Sequence, residues 1–278
     1  MADVQVRQRV KNLKNLIDTG SYHALGDPDL AGYQICEVVD DSRSVHLINI
    51  IKVEAGKGKY AHWHDGGETV WVVLQGTGLF KLDEKNEIPV APGDFFHCFP
   101  TEVHGSTNTG TEDLYYLCVE GPRGDPMQKD LDARPKTAFR QGRMLNLNWE
   151  IKKGGFAPVD QVIPGASTGS STTDLPGYTI KLLVPMDDPR TRHLIEIVNV
   201  EAGFKKYHHY HNNAETVILF LEGEGEFFLD ENNSVPVKPG DCCHALPGEI
   251  HGTRNTGKAP LRYLVVEGPL PLDMHKAE

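Results

Sequence analysis

The chain has 278 residues, 39% of them hydrophobic, and a formal charge of −11. That length admits one large domain or two of about 140 residues. The acidic balance excludes nucleic acid and anionic membrane as expected partners, because a negative surface repels phosphate. Glycine (28) and proline (18) favour many turns over long helices.

No apolar run reaches the ~18 residues of a membrane span, and Met1–Lys14 has no apolar signal core. A soluble, cytoplasmic protein is expected. Cys36, Cys98, Cys118, Cys242 and Cys243 are odd in number and lack Cys-x-x-Cys spacing. They predict buried thiols in a reducing compartment.

In chain order, Val6, Val10, Leu13, Leu16 and Ile17 lie at near-helical spacing and predict a short helix within 3–18. Residues 1–19 are thus an N-terminal helical arm. A first domain, 20–125, follows as short alternating strands, among them His46–Val53, Thr69–Leu74, Gly78–Leu82 and Leu114–Val119. Turn signals such as Gln75-Gly76 and Pro92-Gly93-Asp94 separate them. Such a series indicates a sandwich or barrel. Residues 126–164 read as a linker with one or two short elements, followed by a flexible Gly/Ser-rich run near 165–173.

The second domain, 165–278, repeats the first. Val45–Pro122 aligns with Arg192–Pro269 at a constant offset of 147, without a gap. About 43 of about 78 aligned positions are identical, which only an internal duplication explains. Asp29-Leu30-x-Gly32-Tyr33-x-Ile35 recurs as Asp174-Leu175-x-Gly177-Tyr178-x-Ile180.

The repeat carries a metal-ligand pattern twice. His62-x-His64-x3-Glu68 is followed by His104, and His209-x-His211-x3-Glu215 by His251. Residues i and i+2 of a strand point to one face, so each His-x-His pair can offer two adjacent ligands. The glutamate can come from the next strand, and the last histidine can close the site from across a barrel. Three imidazoles and a carboxylate suit Fe, Mn, Ni, Co or Zn. The alternative is a set of surface or core histidines. Against it, all four residue types persist in both copies while neighbours change, as Trp63 to Tyr210.

Gly56-x5-His62-x-His64-x3-Glu68-x7-Gly76, with Pro92-Gly93-Asp94 and Pro100-x3-His104-x3-Asn108, resembles the two motifs of the cupin family. Gly203, His209, His211, Glu215, Gly223, Pro239-Gly240-Asp241, Pro247, His251 and Asn255 repeat it. The first motif has one residue more than the commonest spacing before its closing glycine. Glu102 and Glu249 hold a place usually taken by glycine. The resemblance spans most of the chain outside the arm and linker. It implies an all-β bicupin: two tandem jelly-roll barrels from an internal duplication, each with a divalent metal in its mouth, iron first among the candidates.

Tyr60 and Tyr207 share the parity of His62 and His209, so they are expected to face the barrel interior as proton donors. Lys59 and Lys206 have the outward parity unless a bulge re-aims them. His97 and His244 read as hydrogen-bonded structural residues. Trp71, Phe80, Phe227 and Phe228 read as core, and Asp94 and Asp241 as turn caps.

Three functions are open. The first is a dioxygenase acting on a small aromatic, enol or diketone substrate with O2. The second is a redox-neutral sugar isomerase, lyase, decarboxylase or aminohydrolase, with Glu68, Tyr60, Glu215 and Tyr207 moving protons. The third is a non-catalytic storage or ligand-binding bicupin. Aromatic surroundings (Trp63, Trp71, Phe95, Phe96, Phe99) point to the first site as the reactive one. A small-molecule substrate and a homo-oligomer are the expected partners.

Overall fold

The computed structural model describes residues 9–83, 85–135, 143–163, 175–230 and 232–277. The run at 165–173, expected to be flexible, lies outside them, as does the start of the predicted helix. The chain forms two compact units, one of residues 15–153 and one of residues 1–14 with 154–278.

The elements in order are β1 (Val10–Asn12), α1 (Leu13–Thr19), β2 (His23–Ala24), β3 (Tyr33–Glu37), β4 (Leu47–Val53), β5 (Gly58–His62), β6 (Glu68–Gln75), β7 (Gly78–Lys81), β8 (Glu87–Val90), β9 (Asp94–Cys98), β10 (His104–Thr107) and β11 (Leu114–Gly121). Then come β12 (Arg143–Asn146), α2 (Leu147–Lys153) and α3 (Val159–Val162). The second copy holds β13 (Tyr178–Leu182), β14 (Leu194–Val200), β15 (His209–Tyr210), β16 (Glu215–Glu222), β17 (Gly225–Phe228), β18 (Ser234–Val237), β19 (Asp241–Ala245), β20 (Gly252–Asn255), β21 (Leu261–Gly268) and β22 (His275–Lys276).

In the first unit one sheet runs β12-β9-β6-β11-β4-β3-β2 and the other β5-β10-β7-β8. In the second, β1-β19-β16-β21-β14-β13 stands with β18-β17-β20 and the β15-β22 pair. All the strand pairings are antiparallel. This is the all-β, two-barrel architecture expected from the repeat. Gly76 shows why the turns need glycine: its φ is 81°, and a Cβ there would stand 2.5 Å from the Asp113 carbonyl oxygen.

The predicted N-terminal helix is shorter than its periodicity suggests. Residues 10–12 form β1, because Val10, Lys11 and Asn12 find ladder partners in Cys243, Cys242 and Asp241. Asn12 Nδ2 donates to Asp241 Oδ1 at 2.7 Å, and Leu13 N–H to the Gly240 carbonyl at 2.9 Å. β12 makes the same contacts in the first unit. Asn146 Nδ2 donates to Asp94 Oδ1 at 2.8 Å, and Leu147 N–H to Gly93 at 2.9 Å. The segment expected as linker therefore carries a strand and two helices.

Each unit has its own core. Trp71, Phe80, Phe96 and Tyr116 anchor the first, and Phe220, Phe227, Ile218 and Tyr263 the second. The inward positions alternate along the strands: Trp71 and Val73 on β6, Leu114, Tyr116 and Cys118 on β11. The five cysteines are buried thiols. No helix among the described residues is long and apolar enough to cross a membrane.

Candidate metal centres

The first site is built where β5, β6, β10 and β11 end together. His62 pairs with His104 across β5 and β10, but three residues back Lys59 pairs with Ser106, only two residues on. β5 therefore carries one extra residue, a bulge that reverses its parity. The second copy does likewise, since His209 bridges His251 while Lys205 bridges Arg254. Here the structure departs from strict alternation, and Lys59 and Tyr60 change places. Lys59 is buried, with Nζ 5.5 Å above the Tyr33 ring, and that burial lowers its pKa. Tyr60 instead turns its hydroxyl to Asp27 Oδ2 at 3.2 Å, under Lys129. Tyr207 likewise turns to Met274 Sδ, 3.7 Å away. The structure thus brings neither tyrosine hydroxyl to the imidazoles.

The histidines do converge. His62, His64 and His104 have ligand atoms within 4.8 Å of one another, as do His209, His211, His251 and Glu267. In each set the rings of the first and last histidine lie 4.2 Å apart. Every Nδ1 is engaged by a backbone carbonyl: His62 by Tyr60 at 3.0 Å, His64 by Asp125 at 3.3 Å, His104 by Glu102 at 3.0 Å. His209, His211 and His251 use Tyr207, Asp273 and Glu249 at 3.1, 2.8 and 3.0 Å. A carbonyl only accepts, so Nδ1 holds the proton and Nε2 carries the lone pair. All six Nε2 atoms are buried without a hydrogen bond. Burial holds His62, His104 and His209 well below the ordinary histidine value and brings His251 to about 4. Imidazoles whose Nδ1 is tied to a carbonyl and whose unsatisfied Nε2 lone pairs converge are the donor set a divalent cation requires.

The carboxylates differ from the expected ones. Glu68 opens β6 on the face opposite Trp71 and Val73, and its Oε1 lies 2.5 Å from His97 Nε2. Glu215 makes the same buried pair with His244. The inward residue is the next one, Thr69 or Thr216. The acid that joins the imidazoles comes from the neighbouring strand: Thr69 is opposite Glu120 on β11, and Thr216 is opposite Glu267 on β21. Glu120 Oε2 lies 3.5 Å from His64 Nε2. Glu267 Oε1 lies 2.6 Å from His211 Nε2, off the hydrogen-bond direction, and accepts from Thr216 Oγ1 at 2.7 Å. Burial raises the Glu267 pKa, but His211 more than offsets it, so the carboxyl stays ionised far below its usual range. Burial lowers His211, and Glu267 outweighs that, leaving it raised.

The extra residue before Gly76 is the sequence signal for this shift, because it puts Glu68 out of step with the inward positions of β6. Glu120 and Glu267 were also legible as an identical pair within the repeat, although nothing in their spacing marks them as ligands. Asp125 and Asp273 were missed as well. Their backbone carbonyls orient the second histidine of each set. Their carboxylates accept from the turn between that histidine and the following strand: Gly66 and Gly67 N–H at 2.8 and 2.6 Å, Asn212 and Asn213 N–H at 3.0 and 3.2 Å.

In the second unit a cavity adjoins His209, His251 and Glu267, and its other walls include Glu196, Lys206, Tyr178, Thr253 and Ile218. Burial pushes the Glu196 carboxyl up to about 8, with Lys206 opposing and Glu267 adding to the shift. In the first unit Trp71 replaces Ile218 and Asn49 replaces Glu196. Trp71 is fully buried, 5.4 Å from the His104 ring and 4.9 Å from Phe80. Phe95, Phe96 and Phe99, expected to surround the first site, are buried too.

Known proteins share the fold. An oxalate-binding protein of Thermotoga maritima is 40% identical over 58 residues, 21% of this chain and 47% of that protein, so the match spans about half the relative's length. Salicylate 1,2-dioxygenase of Pseudoaminobacter salicylatoxidans superposes with a TM-score of 0.66 at 13% identity, covering 96% of this chain and 84% of the other. Oxalate decarboxylase of Bacillus subtilis gives 0.52 at 14% identity, covering 93% and 76%. At these identities the solved structures speak for the fold. The cupin domain profile matches residues 49–120 and again 196–267. The chain belongs to the cupin family, as a bicupin with one such domain in each repeat.

Proposed function

We propose that each barrel holds one divalent transition metal, through His62, His64, His104 and Glu120 in the first and through His209, His211, His251 and Glu267 in the second. The carrying observation is the six buried imidazoles, each with Nδ1 tied to a carbonyl and Nε2 left unpaired. When bound, the ion supplies a Lewis acid that polarises a substrate oxygen.

The reaction best supported is redox-neutral conversion of a small carboxylic acid at the second barrel. Beside the apolar Ile218 and Val265, that cavity is lined by Glu196, Lys206, Thr253 and Tyr178, groups that can bind and protonate a small acid. Lys206 supplies a cation for a carboxylate. A carboxyl whose pKa lies near neutrality, as at Glu196, can give or take a proton. The first barrel, where Trp71 stands in place of Ile218, keeps its ion as a structural element.

Metal analysis of the purified chain together with oxygen-electrode measurements tests this. Two metals per chain and turnover of a small carboxylic acid without O2 consumption are expected. Stoichiometric O2 consumption would return the assignment to a dioxygenase.

A further inference from the structure

One ionisable group in the second barrel has no counterpart in the first. Glu196 lies on the inward face of β14, opposite Val265, where the first copy has Asn49. It is 4% exposed, and its Oε2 is buried without a partner. A buried acceptor without a donor is costly, so this oxygen favours any ligand that brings one. Lys206 lines the same cavity, with Nζ 5.3 Å above the Tyr178 ring, and His209, His251 and Glu267 form the adjoining wall.

We propose that Glu196 and Lys206 select a small carboxylic acid bearing a hydrogen-bond donor on the adjacent carbon, a 2-hydroxy or 2-amino acid. The ligand carboxylate faces Lys206 and the metal position, and its hydroxyl or amino group donates to Glu196 Oε2. The first barrel does not share this selectivity, because Asn49 carries no charge and Trp71 stands in place of Ile218. The assignment rests on the metal reading of the second site.

Isothermal titration of the full chain loaded with Mn2+, at pH 8.5 where the Glu196 carboxyl is ionised, tests it, with glycolate, glycine and acetate as probes. Acetate keeps the carboxylate and lacks the donor. Glycolate and glycine are expected to bind about tenfold or more tightly than acetate, the ratio a charge-assisted hydrogen bond gives. Glu196→Gln should bring the ratio down to about threefold or less while acetate binding holds. Glu196→Asp, which keeps the charge but withdraws it by one methylene, should fall between the two and serves if the amide variant does not fold. Lys206→Met should weaken all three probes together. Equal binding of glycolate and acetate by the native chain, no binding of any probe, or an unchanged ratio in Glu196→Gln would overturn the proposal. Metal content of the same samples separates the two readings. Two metals with no donor preference removes the Glu196 assignment alone, whereas a chain that takes up no metal removes the reading beneath it.

Discussion

Thr69 and Glu120 face one another across β6 and β11, and Thr216 and Glu267 repeat the pairing across β16 and β21. Directly opposed residues of antiparallel strands project to the same side. The inward acid of each barrel mouth therefore sits on its last strand, while Glu68 and Glu215 pair with His97 and His244 on the opposite face.

Those outer pairs have a testable role of their own. Both members of the Glu68–His97 pair are fully buried. Removing one partner of such a pair leaves an uncompensated polar group, at a cost of about 3–5 kcal/mol. Thermal unfolding of His97→Ala should show a loss of that order with metal content unchanged. A variant as stable as the native chain would show that the pair contributes nothing to the fold.

The asymmetry of the barrels predicts the effect of filling the second cavity. Ile218→Trp, which copies Trp71, should abolish ligand binding there, keep both metals and destabilise by about 1–3 kcal/mol through overpacking. Calorimetric titration with a small carboxylic acid checks it, and undiminished binding would place the ligand elsewhere.

Asp273 ties the turn after His211 to the chain segment that orients its imidazole. Outer partners of this kind typically contribute about 10–100-fold to metal affinity. Asp273→Ala should weaken the second site by that factor and leave the first intact, as read by competition with a chelator. Asp125→Ala should do the reverse.

Acid should destabilise the metal-free protein. Burial holds His62, His104, His209 and His251 below their ordinary value, whereas in the unfolded chain they titrate near 6.5. Below about 6.5 the unfolded state binds protons that the folded state refuses, so stability is present above that pH and falls as pH drops. For His251, whose folded value is about 4, the loss approaches about 3 kcal/mol once pH reaches that value. His211, raised, opposes the trend with a single group. Glu196, raised to about 8 from 4.5, contributes stability below 4.5 that is lost as pH rises through 8. Denaturant unfolding of the metal-free chain between pH 7 and pH 4.5 should show a falling midpoint, and a flat profile would contradict the neutral-imidazole assignment.

The repeat made most of the fold legible. Two copies at constant offset placed the strands, the turns and all six histidines. What escaped was local register. Parity along β5 was misleading because the bulge inserts a residue between Lys59 and His62, and that change is carried by pairing with β10, which periodicity does not contain. Glu68 followed the histidines at a ligand-like interval, but the inward face of β6 begins at Thr69. The strand Val10–Asn12 read as helix because its partner, β19, lies more than 200 residues away. The linings of the two sites differ at Trp71 and Ile218 and at Asn49 and Glu196, and what those exchanges do appears only when the side chains are placed against the imidazoles.

The central claim concerns which acids complete the metal sites, and metal content of four variants tests it most directly. Glu120→Gln and Glu267→Gln should each retain one metal per chain. Glu68→Gln and Glu215→Gln should each retain two, whatever stability they lose. The opposite pattern, with metal lost from the Glu68 and Glu215 variants and kept by the Glu120 and Glu267 variants, would contradict the account.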